Sequence, residues 1–238
     1  PGLAGISANT LINESMRCEP VDEIPCASEL NIIAVFEPLN QPPDGPGGNL
    51  RFGLGTCEDV DGSGLRCTLT EEQPTSYTNQ LSGSCLNAFA GTTGANNSGS
   101  YSPAVGGTSG PCAISANLPN FAFSFGDTVP ISVPLQSVQF AGTYSGDPAT
   151  SLLSGLLRGF ISEAEADGII IDIDAGFTQL SFPLSEVLAG GANSCAPAGS
   201  GTGNSQDDRD TNPPGGGGES GWWFYMNFEA EQVELVEP

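Results

Sequence analysis

Apolar and polar residues alternate with period two in several short stretches of this chain, the pattern of strands with one buried face. Residues 31–37, Asn-Ile-Ile-Ala-Val-Phe-Glu, are β-branched and aromatic and predict a first strand. Leu50–Leu54 predicts a short second one. Phe121–Phe125 alternates phenylalanine with small residues, and Ile131–Val133, Val138–Tyr144 and Ile169–Ile173 predict further strands. A long strand is predicted over 222–235. Trp222, Phe224, Met226 and Phe228 fall on one side of it, and Trp223, Tyr225, Asn227 and Glu229 on the other.

One stretch follows a different period. Leu153, Leu156, Leu157, Phe160, Ile161 and Ala164 recur at helical spacing. Asp147-Pro148 supplies a cap and a first-turn proline, and Gly168 a stop. These signals predict an amphipathic helix over 148–167. Leu184–Leu188 predicts a short helical turn. Turn and loop composition marks 41–48 (QPPDGPGG), the Ser/Gly/Asn/Thr-rich stretch 82–112, and 190–221. Residues 1–29, with Pro1, Pro20 and Pro25, read as an extended N-terminal arm. Residues 30–238 read as a β-rich domain with a candidate sub-boundary near 115–120. The expected fold class is all-β, mainly an antiparallel β-sandwich, with one amphipathic α-helix on a sheet edge and long disulfide-tied loops.

Charge narrows the function. The 238 residues carry 28 Asp and Glu against five Arg, with no Lys and no His, for a net charge of −23. Such a chain is repelled by nucleic acid and by anionic membrane surfaces. Without His there is no Ser-His-Asp triad and no imidazole metal ligand. Without Lys there is no Schiff base and no P-loop lysine. Hydrolysis by a pair of carboxylates remains open.

Seven cysteines stand at 18, 26, 57, 67, 85, 112 and 195, none of them in C-x-x-C spacing. Disulfides therefore suit them better than a zinc ribbon, and disulfides persist in oxidising compartments. Sequence neighbours suggest Cys18–Cys26, Cys57–Cys67 and Cys85–Cys112. Cys195 is then left as a buried thiol, an alternative partner, or a link between chains. No apolar run approaches the roughly 20 residues of a membrane-spanning helix. The opening Pro-Gly-Leu-Ala reads as a processed start, with an export signal or lipid anchor outside this chain.

Asp59-Val60-Asp61-Gly62-Ser63-Gly64 resembles the start of an EF-hand-type calcium loop. Asp59, Asp61 and Ser63 at alternate positions can converge oxygens on Ca2+, and Gly64 at the sixth position permits the bend. The twelfth position is Thr70 and Glu71 comes one residue late, so a solvated acidic hairpin turn competes with that reading. Gln206–Asp210 is a second acidic cluster around Arg209. Glu163, Glu165, Asp167, Asp172 and Asp174 form a third, with a solvated face as the plainer account. Trp222–Tyr225 reads as an aromatic platform for sugar or as core, with core favoured by burial.

The segment Val138–Phe228 also resembles a known group. FAGTYSGDPATSLLSGLLRGFISEAEAD, the Cys195 loop with DDRD, and GWWFYMNFEAEQV are similar to the C-terminal part of uncharacterised surface lipoproteins and secreted proteins of myxobacteria and their relatives. Those proteins carry a DVDGDG-type acidic segment upstream, which Asp59–Gly64 matches in kind. The resemblance implies export and a cell-surface address, and it transfers no catalytic residue. The expectation is a non-enzymatic extracellular structural or adhesive protein, a subunit of a surface assembly or filament. Its partner would be a second copy, another surface protein or a glycan. The alternatives are a calcium-dependent carbohydrate-binding module and, third, a two-carboxylate hydrolase.

Overall fold

A computed structural model of the protein describes residues 19, 23–43, 45–89, 105–125, 131–174, 179–186, 188, 209–211 and 218–237. In chain order the strands are β1 (Cys26–Glu37), β2 (Gly47–Asp59), β3 (Arg66–Gln80), β4 (Ser84–Leu86), β5 (Thr108–Ser109), β6 (Cys112–Ser115) and β7 (Leu118–Phe125). They continue with β8 (Ile131–Gly146), β9 (Ala149–Ser162), β10 (Ile170–Asp174), β11 (Gln179–Pro183), β12 (Asp210–Thr211), β13 (Ser220–Glu231) and β14 (Glu234–Leu235). The described residues add one short helix, α1 (Glu163–Gly168), and a 3-10 turn at Leu184–Glu186.

The protein is all-β, as its period-two stretches predict. A ten-stranded sheet runs in the order β1-β2-β3-β6-β8-β9-β13-β12, with β7 added to β8 and β14 to β3. Every pairing in it is antiparallel except β14 on β3. β6 bonds β3 on one side and β8 on the other.

The sheet curls strongly. Three strand spacings separate β2 from β8, about 14 Å along a flat sheet. Yet Phe52 of β2 stacks on Phe140 of β8 with ring centroids 4.6 Å apart, and meets Phe121 of β7 at 5.0 Å. The concave face made this way holds the main core, with Leu50, Phe52, Leu135, Val138, Phe140 and Leu157 buried in it. One curled sheet thus brings together the two apolar layers that a sandwich divides between separate sheets.

The helix expected over 148–167 is a strand for most of its length. β9 occupies Ala149–Ser162, and only Glu163–Gly168 is helical. Asp147-Pro148 forms the turn of the β8–β9 hairpin, where Gly146 pairs with Ala149. The cap belongs instead to Ser162, whose hydroxyl accepts from the Glu165 N–H while the Glu165 carboxylate accepts from the Ser162 N–H.

The sequence imitates a helix because β9 is buried on both faces. Leu152, Leu157 and Ile161 join the concave core. Leu156 belongs to a cluster with Leu86 and Ala141, and Phe160 packs on Trp223 at 5.4 Å. A bulge shifts the alternation as well: Ser154 and Gly155 together stand opposite Gly142, with Ser154 at φ 48°. The hydroxyl of fully buried Thr108 donates to the Ser154 carbonyl at 2.8 Å and so satisfies a group that the bulge frees.

Two disulfides join the expected partners. Cys57–Cys67 links directly opposed residues of β2 and β3, and Cys85–Cys112 ties the β4–β5 hairpin to β6. Cys26 is also disulfide-bonded. Cys18 and Cys195 lie outside the described residues. No helix among the described residues is long and apolar enough to cross a membrane.

Candidate functional site

The acidic motif Asp59–Gly64 forms the tip of the β2–β3 hairpin, just beyond the Cys57–Cys67 bridge. Its carboxylates fold the turn. Asp59 Oδ1 accepts the Gly62 N–H at 2.6 Å, and Asp61 Oδ1 accepts the Ser63 N–H at 3.0 Å. Arg66 Nη2 lies 3.4 Å from both Asp61 Oδ2 and Ser63 Oγ. Hydrogen bonds from Ser63, with the Arg66 charge, lower the Asp61 pKa. Among the described residues no group of three or more Cys, Asp or Glu is placed to hold a metal ion.

Three of the other carboxylates are engaged in structure too. Glu163 pairs with Arg209 at 3.4 Å, Glu165 closes the cap and accepts from Gln136, and Asp167 accepts from Ser185. Asp172 is exposed on β10. Asp207 and Asp208 lie outside the described residues. Trp222 and Trp223 are each 5% exposed, so neither offers an open face to a sugar ring. Trp222 packs in the concave core. Trp223 lies against Phe89 at 4.5 Å on the convex side, where the Arg158 guanidinium covers the Phe89 ring at 4.0 Å.

Among the described residues, two features are left largely uncovered: a strand edge and a cleft. β1 is the terminal strand of the sheet and runs for 12 residues. One edge bonds β2 from Cys26↔Asp59 to Glu37↔Asn49. On the other edge, among the described residues, the only pairing is the bridge Glu19↔Ala27. The strand is apolar on both faces. Ile32, Ala34 and Phe36 pack toward the concave core, and Ile33 and Val35 toward the Cys57–Cys67 disulfide.

Beside that edge lies a cleft of about 400 Å³ between β1, the start of β9 and the end of β13. Half-buried Ile32, Ala34, Phe36, Met226 and Phe228 line its apolar wall, over a floor of buried Phe52, Phe140 and Leu157. Asn31, Thr150, Ser151, Glu229, Glu231 and Gln232 supply its polar groups. The lining comes mainly from three runs far apart in sequence, 31–36, 149–152 and 228–233, so no single local stretch marks the cleft.

One end of the site is held by a polar network. The Tyr77 hydroxyl donates to the Pro38 carbonyl at 2.6 Å and accepts the Asn40 N–H at 2.7 Å. The Tyr144 hydroxyl donates to Asn79 Oδ1 at 2.8 Å. Gln41 accepts the Ala149 N–H at 2.7 Å and fixes the β8–β9 turn to the loop after β1. Burial raises the Tyr144 pKa well above that of a free phenol, with the neighbouring Tyr77 adding to the effect.

A raised folded-state pKa means that the unfolded chain loses this proton first. Stability contributed by Tyr144 is therefore complete below the unfolded phenol pKa of about 10 and declines as pH rises above it. Denaturation midpoints measured from pH 8 to 11.5 are expected to fall above pH 10. Tyr144→Phe is expected to flatten that fall.

No protein-family model, curated protein or solved structure matches the chain.

Proposed function

We propose that this protein is a non-enzymatic, extracellular structural or adhesive component of a cell surface that assembles by strand addition at β1. The observation that carries the reading is the outer edge of β1, a 12-residue terminal strand with a single bridge on that side among the described residues. Long edge strands in monomeric proteins are normally shortened, charged or interrupted by proline. Residues 31–36 carry neither charge nor proline. An extended segment added here gains backbone hydrogen bonds along the ladder. The disulfides support an oxidising compartment.

The charge of −23 sets a condition on assembly. Copies repel one another at low ionic strength, and screening by salt relieves this. Light scattering after size exclusion is expected to show association that grows with protein concentration and with salt from 0.05 to 0.5 M. In an antiparallel edge strand, successive residues aim their N–H alternately toward the partner and outward. Of Ala34→Pro and Val35→Pro, one is therefore expected to abolish association and the other to disrupt the β1–β2 ladder. A protein that stays monomeric under all these conditions overturns the reading.

A further inference from the structure

We infer that the cleft beside β1 is a binding site for a slender apolar molecule with an uncharged or cationic head, such as a single-chain alcohol, monoacylglycerol or alkylammonium. The inference does not rest on assembly. Its ground is volume and lining. Protein interiors are packed to crystal-like density, with few voids larger than a water molecule. A cleft of about 400 Å³ is beyond that and falls in the range of small-molecule sites. An engineered apolar cavity of about 150 Å³ already stays dry and takes up benzene. Here the floor is Phe52 stacked on Phe140 at 4.6 Å, both 2% exposed, and half-buried Phe228 stands edge-on to Phe140 at 6.4 Å. Half-buried Ile32, Ala34, Phe36 and Met226 complete the apolar surface. Methionine adapts to ligands of irregular shape.

The polar groups decide the head. Glu229 and Glu231 are exposed and line the cleft, and no arginine lines it. Arg51 and Arg66 are committed elsewhere, to Glu37, Glu72 and Glu237 and to Asp61 and Glu234. An anionic head would meet two carboxylates with no compensating cation, on a chain of net charge −23. An uncharged hydroxyl finds Asn31, Thr150 and Ser151, and a cation finds the two glutamates.

The test uses the full chain and the neutral probe N-phenyl-1-naphthylamine. Saturable fluorescence enhancement at one probe per chain is expected, with displacement by 1-dodecanol and by dodecyltrimethylammonium. Dodecanoate is expected to displace at least about tenfold more weakly, the direction set by like-charge repulsion. Ala34→Phe places a ring in the cleft and is expected to weaken probe binding about tenfold or more at an unchanged or raised melting temperature, since it removes the space the probe occupies. If Ala34→Phe lowers the melting temperature, Met226→Trp is measured in its place. Absence of saturable binding, or unchanged binding in the filling variant that folds, overturns the site. Equal displacement by dodecanoate overturns the head-group assignment. Displacement by an apolar strand peptide but by none of the amphiphiles assigns the cleft to a partner strand and overturns the small-molecule inference.

Discussion

Phe140→Ala is expected to destabilise the protein by about 3–5 kcal/mol, a large share of the stability of an ordinary domain. Phe140 is 2% exposed and packs between strands that the curl brings together. Its ring stacks on Phe52 from β2 and meets Phe228 from β13, so it touches strands on both sides of β8 in the sheet order. Removing it deletes apolar contact and leaves a void that strands already paired on both edges cannot close. It also opens the void directly into the cleft beside β1. Phe140→Leu keeps most of the volume and is expected to cost well under half as much. Urea or guanidinium midpoints for the two variants provide the measurement. Near-equal midpoints would show that the Phe52–Phe140 contact does not hold the curl.

Loss of the Cys85–Cys112 disulfide ranks next. The two residues are 27 apart in sequence, and closing a loop of that size restricts the unfolded chain by about 3.5 kcal/mol. Replacing both by alanine is expected to remove most of that. The consequence is local as well as global, because the bridge holds the β4–β5 hairpin on the convex face. Leu86 covers Ala141 and Leu156 there, and the Asn87 carbonyl accepts from Arg158 at 2.7 Å. Phe89 lies over Trp223. The double variant is therefore expected to shift tryptophan emission to longer wavelength at denaturant concentrations well below the main transition. If emission moves only with global unfolding, the hairpin is held by its packing and not by the bridge.

Much of this fold is legible where one local rule decides the outcome. The β-branched run 31–37 lies within β1, and the alternation of Trp222, Phe224, Met226 and Phe228 places all four against the concave core. Cysteine proximity finds Cys57–Cys67 and Cys85–Cys112 because each bridge joins cysteines that are consecutive in the chain. β9 reads as a helix because strand and helix differ in sequence mainly through exposure of one face. Here Phe160 and Leu156 are buried on the convex side and Leu157 and Ile161 on the concave side, so no polar alternation survives. β3 escapes notice for the opposite reason: its Thr68–Thr78 stretch is largely polar and contains Pro74. That proline is accommodated because β3 meets β14 at Arg66–Cys67 and β6 at Tyr77–Gln80, so residue 74 bonds no strand on that edge. The cleft is illegible in the sequence because it draws on β1, β9 and β13, which only the curl brings together.

The parallel pairing of β14 with β3 also sets an order of events. Glu234 reaches Arg66 across 168 residues, while β13, a few residues earlier, is already committed to β9. Contacts of such separation are slow to form, because a long loop must close before anything is gained. Two halves of the sheet can thus assemble first as hairpins, β1–β2–β3 and β8–β9. The segment Ser220–Leu235 then acts as the clasp that locks the curl. A chain emerging from a ribosome or a translocation pore exposes the apolar concave face until that clasp arrives. The moment at which residues 220–235 emerge therefore sets how long the edges of β3 and β9 stay unpaired.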